Sequence, residues 1–114
     1  MAITRAISIK QPFVELILQG KKKLEFRSRA TKIRERVYLY ASLKPRTEAS
    51  LWKKANKAMG EVPMGLIVGS IEITSCAWDK KNNNYAYKLS KPKRFKKPLK
   101  AKNRPSPVFW LPRF

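Results

Sequence analysis

Apolar positions along this chain fall into short runs whose period changes from one run to the next. Residues 5–9 (Arg-Ala-Ile-Ser-Ile) alternate, with Ile7 and Ile9 on one face, as a short strand does. Phe13, Val14, Leu16, Ile17 and Leu18 then crowd into barely two helical turns. Pro12 supplies a φ suited to the first helical position, and Gly20 a stop. A helix this apolar has to be buried against a sheet. Lys23 to Arg27 alternates again, Leu24 and Phe26 pointing one way and Lys23, Glu25 and Arg27 the other. Residues 36–42, rich in β-formers, predict a clearer strand. A second helix is predicted over 47–59, with Thr47 as cap, Glu48 complementing the dipole, and Leu51, Trp52, Ala55, Ala58 and Met59 on one apolar face. Gly60 and Pro63 follow it.

Residues 65–74 form the strongest strand signal, in which Gly65 and Gly69 mark a bulge or a close backbone approach. Asp79 to Asn84 reads as a polar turn and Tyr85 to Leu89 as a strand, with shorter strands near 93–97 and 107–110. Strands outnumber helices and are evenly spaced. The expected fold is α+β: a small β-barrel with about two helices packed on it, residues 1–114 forming a single domain without linker or internal repeat.

Charge changes this picture more than any other property. Twenty-seven Lys and Arg against seven Asp and Glu leave +20, shared by both halves of the chain. A folded domain tolerates such self-repulsion more readily when a polyanion neutralises it. Nucleic acid is therefore the expected partner, RNA ahead of DNA. An anionic membrane ranks behind it, since no long amphipathic basic helix and no lipidation signal is visible. Cys76 stands alone, which excludes an internal disulfide and a cysteine-built zinc site, and is expected to behave as a small buried hydrophobe. With no histidine, imidazole acid–base chemistry is excluded too, and no metal or cofactor is expected. No apolar leader and no run approaching the roughly 20 residues of a membrane span is visible, so the expected location is cytoplasmic. The expected oligomeric state is a monomer.

Two segments concentrate candidate chemistry. In Gly20-Lys21-Lys22-Lys23-Leu24-Glu25-Phe26-Arg27, one carboxylate is flanked by cations at a helix–strand junction. A solvated basic turn accounts for the bare pattern equally well, and the spacing of a Walker-type phosphate loop is absent. Residues 88–104 hold nine cations and no acid, with Pro92 and Pro98 barring a regular helix. Leu89, Phe95 and Leu99 are positioned to pin this segment while its lysines track phosphates. Aromatic residues interleave with the cations; Tyr40 and Trp110 are the choices for stacking on an unpaired base.

Gly20-x-Lys22-x-x-Glu25-x-Arg27 resembles the Gly-x-Lys-x-x-Glu-x-Arg motif of ASCH domains, small barrels of the PUA-like superfamily. Ser8-x-x-Gln11-Pro12-Phe13 resembles that family's strand-to-helix opening, Tyr40-Ala41-Ser42 its second strand, and Gly65-x-x-x-Gly69 its central strand. Pro105-x-Pro107-Val108-Phe109-Trp110 is similar to the ending of short bacterial members. The likeness is weakest from 80 to 104.

The resemblance implies a cleft between helix and barrel that engages RNA or a modified base. By that analogy Lys22 and Arg27 hold phosphate or a base edge while Glu25 orients them. Ser8, Gln11, Arg29, Ser42, Lys44 and Trp110 complete the candidate contacts around the cleft. Lys93, Arg94, Lys96 and Lys97 add phosphate contacts from the basic segment. Two rivals stand beside an RNA-binding domain. One is a ribonuclease or modified-nucleoside hydrolase, with Lys22, Glu25 and Arg27 as candidate catalytic residues. The other is a structural component of a ribonucleoprotein particle. The ASCH branch that hydrolyses acylated cytidine carries Thr where this chain has Glu25, and takes a further Glu from a later helical segment. Asp79 is the sole acid near 80–90 here, which counts against that activity.

Overall fold

All four residues of β1 (Ala6–Ile9) are buried, because the chain folds back along both of its edges. In the computed structural model, which describes residues 2–114, β1 runs parallel to β3 (Arg36–Ala41) and antiparallel to the short β6 (Phe109–Trp110). β4 (Leu66–Asp79) pairs antiparallel with β3 and with β5 (Asn84–Leu99). β2 (Leu24–Arg27) is added to β5 over Tyr85–Lys88 only. The strand order is β2-β5-β4-β3-β1-β6. Helix α1 (Phe13–Leu18) lies against β5 and β3 and touches α2 (Ala49–Ala55); one 3-10 turn spans Met59–Glu61. The fold is thus α+β, as the pattern predicts.

The ladder is not closed into the expected barrel. Among the described residues no backbone pairing joins β2 to β6, the two ends of the sheet. A side chain bridges the gap instead. Arg27, at the end of β2, donates from Nη2 to the Ser8 carbonyl at 2.7 Å and from Nη1 to the Pro107 carbonyl at 3.2 Å. With only four residues in β2 and two in β6 there is little backbone to pair, so the guanidinium spans the seam.

The core explains α1. Val14 and Ile17 join Ile7, Ile9, Val37, Leu39, Ile71, Ile73 and Leu89 in one buried cluster; each such side chain is worth roughly 1.5–3 kcal/mol of burial. Gly20, at φ +78°, ends the helix as predicted, and the N–H groups of Gly20, Lys21 and Lys22 return to the carbonyls of Ile17 and Leu16. The lysine turn is therefore a rigid exit from α1.

Two elements, α2 and β5, differ from expectation, while Gly69 within β4 bears it out. Helix α2 is half the predicted length: Glu48 takes the cap position that was assigned to Thr47, and Asn56, in the left-handed region at φ 54°, ends the helix four residues before Gly60. Gly65, at φ +77°, makes a turn ahead of β4. Gly69 is the expected close approach, since a Cβ there would collide with the Lys93 carbonyl oxygen. The predicted separate strands at 85–89 and 93–97 are one strand, β5, hairpinned on β4 and broken by three register shifts. Pro92 lies opposite one of these irregularities and Pro98 opposite another, where the ladder needs no N–H. Lys91 adopts φ 53° at the first. Arg36 secures that kink by donating to the Lys91 carbonyl and to Ser70 Oγ.

Candidate nucleic-acid interface

Strand alternation brings Glu25 and Arg27 onto one face of β2, and the α1 exit turn delivers Lys22 to the same place. Glu25 is buried and both its oxygens are taken: Arg27 Nε donates to Oε2 at 3.0 Å, and Lys22 Nζ lies 3.5 Å from Oε1. Lys22 Nζ also lies over the Phe13 ring, 4.8 Å from its centre, and over Phe26 at 5.6 Å. The Arg46 guanidinium approaches Phe13 at 5.5 Å. These contacts stabilise cations that one carboxylate alone would not neutralise.

Beside this cluster opens a cleft of about 300 Å³ lined by Ser8, Lys10, Phe13, Glu25, Arg27 and Arg46, with Ser42 and Pro107 at its rim. Lys10, Phe13 and Arg46 were not among the expected site residues. Phe13 reads in sequence as core. Arg46 arrives because its backbone N–H bonds the Gln11 carbonyl at 2.8 Å, a contact across 35 residues that no local motif signals.

The other expected residues divide. Ser8 is buried; its Oγ donates to the Ser106 carbonyl and accepts from the Trp110 indole at 3.0 Å. Gln11 is buried, donating to the Pro63 carbonyl and accepting from the Glu15 N–H. Trp110 and Tyr40 meet edge to face within the core, ring centres 5.3 Å apart, so neither presents a face for base stacking. That corrects the expectation: these motif residues hold the framework of the cleft. Arg29 and Lys44 are exposed, and the Arg29 carbonyl accepts from the Tyr87 hydroxyl. Cys76 is half-buried against the core.

On β5, Lys93, Lys96 and Lys97 are exposed and line a shallow groove of about 760 Å³ with Tyr38, Phe95 and Leu99. Phe95 and Leu99 pack on Ala6, Tyr40, Ile67 and Trp110, pinning the strand to the body. Arg94 behaves differently. It reaches Glu15 of α1 with both Nη atoms, 2.9 Å to each carboxylate oxygen. Burial pushes the Glu15 carboxyl up, but the hydrogen bonds from Arg94 and Gln19 and the charges of Arg94 and Lys57 outweigh it and hold the group below its ordinary value.

The ASCH family model matches residues 7–104. The chain belongs to the ASCH domain family. Two solved structures share its fold: the ASCH protein of Zymomonas mobilis, with TM-score 0.65 and 15% identity, and a serine-to-alanine variant of it, with TM-score 0.64 and 16% identity. Each alignment covers 96% of this chain and 87% of the other. No curated protein matches the sequence. In this ASCH domain no three His, Cys, Asp or Glu side chains cluster as metal ligands among the described residues, and no helix there is long and apolar enough to cross a membrane.

Proposed function

We propose that this ASCH domain binds single-stranded RNA, taking one nucleotide into the cleft that Glu25 and Arg27 line beside Lys22 and running the flanking phosphates along β5. The observation that carries this reading is the state of the β5 lysines. Lys88, Lys91, Lys93, Lys96 and Lys97 project from one extended strand, and none pairs with a carboxylate among the described residues. At about 3.3 Å per residue, the stretch they occupy covers at most about 30 Å. Exposed charges spaced along one strand without counter-charge favour a polyanion laid alongside. The cleft, at the lower end of the roughly 300–1,000 Å³ typical of ligand sites, supplies Lys10 for phosphate and Arg46, which Glu48 holds in place through two hydrogen bonds, for stacking on a base.

Binding is preferred to cleavage because the candidate catalytic groups are occupied with one another. Arg27 makes three intramolecular hydrogen bonds, and Glu25 faces a cation at each oxygen. Such an arrangement fixes shape rather than moving protons.

Anisotropy of a labelled single-stranded RNA across a salt series tests the proposal. With about six phosphates neutralised, log K should fall against log salt with a slope near −4. Replacing Lys93, Lys96 and Lys97 together by Ala should flatten that slope by about 2 for every sequence. Lys10→Ala should weaken the preferred RNA most and change the slope by less than about 1. An affinity indifferent to salt, or equal in the triple variant, would remove RNA binding from this surface. Cleavage of the RNA that Glu25→Gln abolishes would establish an enzyme instead.

A further inference from the structure

Trp78 is the one tryptophan left in water. It stands near the tip of the β4–β5 hairpin and is 53% exposed, while Trp52 and Trp110 are each 8% exposed. Its aromatic neighbour is Tyr85, centre to centre 5.1 Å at 74°, a contact that orients the indole without covering it. The surrounding surface is not apolar: Thr74, Ser75, Lys80, Lys81, Asn82 and Asn83 are all exposed. An apolar protein interface would bring neighbours of its own kind.

Register and charge point to an occupant. Trp78 pairs with Tyr85 on β5, and Tyr85 pairs with Arg27 on β2, so the three side chains share one face in a single row. Two strand spacings put Trp78 roughly 10 Å from the arginine at the cleft. Beyond it, Lys80 and Lys81 occupy the turn. Its acid, Asp79, is spent within the turn, accepting from the Asn82 N–H and side-chain amide at 3.1 and 3.2 Å. An exposed indole beside two lysines that pair with no carboxylate among the described residues matches an unpaired base flanked by phosphates.

We infer that Trp78 is a base-stacking platform for single-stranded nucleic acid, with Lys80 and Lys81 on the adjoining phosphates. This contact rests on the nucleic-acid reading above and adds to it a site that neither the Lys22 cluster nor β5 provides. Because Trp78 is the exposed tryptophan, intrinsic fluorescence reports on it directly.

The experiment titrates the whole protein with an unlabelled single-stranded oligouridylate and with a blunt RNA duplex of equal length, following tryptophan emission alongside anisotropy of labelled strands. The single strand should quench emission and the duplex should not. Trp78→Ala should abolish the quench and weaken single-strand binding roughly tenfold, with Trp78→Phe between the two and duplex binding unchanged. Single-strand binding at full affinity in Trp78→Ala, without quench in the wild type, would overturn this inference and leave RNA binding by the cleft and β5 standing. Failure of the wild type to bind any strand would overturn both. Emission that changes with protein concentration alone, and is insensitive to oligonucleotide, would assign Trp78 to self-association.

Discussion

The cations at the end of β2 and those along β5 lie on neighbouring strands of one sheet, yet they are held on opposite terms. Around Glu25 both cations have internal partners: Arg27 serves Glu25 and two carbonyls across the seam, and Lys22 serves Glu25 and two aromatic faces. Along β5 the lysines face solvent without a carboxylate, while Arg94, itself half exposed, is tied to the buried Glu15. Net charge does not distinguish the two groups. Desolvation does: a cation enclosed by acceptors acts as architecture, while a cation in water is available to a ligand. The motif that signals the family is thus the more structural of the two regions, and the less regular segment the more available.

Arg27→Ala is the largest test of this contrast. Removing the guanidinium leaves Glu25 buried against Lys22 alone and leaves the Ser8 and Pro107 carbonyls without their donor across the open seam. A loss of about 3–4 kcal/mol is expected, visible as a fall in thermal midpoint of more than 10 °C. The guanidinium that faces the cleft also bridges the seam, so this substitution tests the fold together with binding. Lys22→Ala, which leaves Glu25 its shorter partner, should cost under about 1.5 kcal/mol. Equal stability in both variants would show that the seam bridge adds nothing to the pairing with Glu25.

Within β5 the same contrast separates adjacent residues. Arg94→Ala strands Glu15, only 4% exposed, and should cost about 2–3 kcal/mol at neutral pH. Lys93→Ala should stay within about 0.5 kcal/mol. The sign with pH follows from the Glu15 carboxyl, which is held below its ordinary value. Its contribution is complete above the unfolded value of about 4.3 and disappears as pH falls through the lower folded value. The gap between wild type and Arg94→Ala should therefore be widest near neutrality and shrink below about pH 4, measured by urea melts at each pH. A gap that widened in acid would remove Glu15 as its source.

Much of this was legible without coordinates, for identifiable reasons. α1, β1, β3 and the first half of β4 are buried along most of their length, and such burial leaves dense apolar runs in the sequence. β5 is not. Its register shifts move side chains from one face to the other, so neither alternation nor proline position describes it until the bulges are located. Glu15 was invisible because its partner lies 79 residues away and its neighbours in the chain are apolar. Ser8, Gln11 and Trp110 stand out as motif residues and are hydrogen-bonded within the framework, since a motif marks where residues are constrained and not whether ligand or framework constrains them.

The finest division falls on a single residue. Lys91 contributes a free cation to the β5 row and also carries φ 53°, a left-handed conformation that costs a non-glycine L-residue about 1 kcal/mol. The two properties are separable by substitution. Lys91→Gly removes charge and conformational penalty together, partly offset by the greater freedom of glycine in the unfolded chain, so a net gain of about 0.5 kcal/mol is expected. Lys91→Ala removes the charge and keeps the penalty, so stability should not rise. Both should flatten the salt slope of RNA binding by the same amount, about 0.7 for one phosphate. If the glycine variant alone changed binding, the kink that Arg36 braces, and not the ammonium group, would be what the nucleic acid meets at that point of the strand.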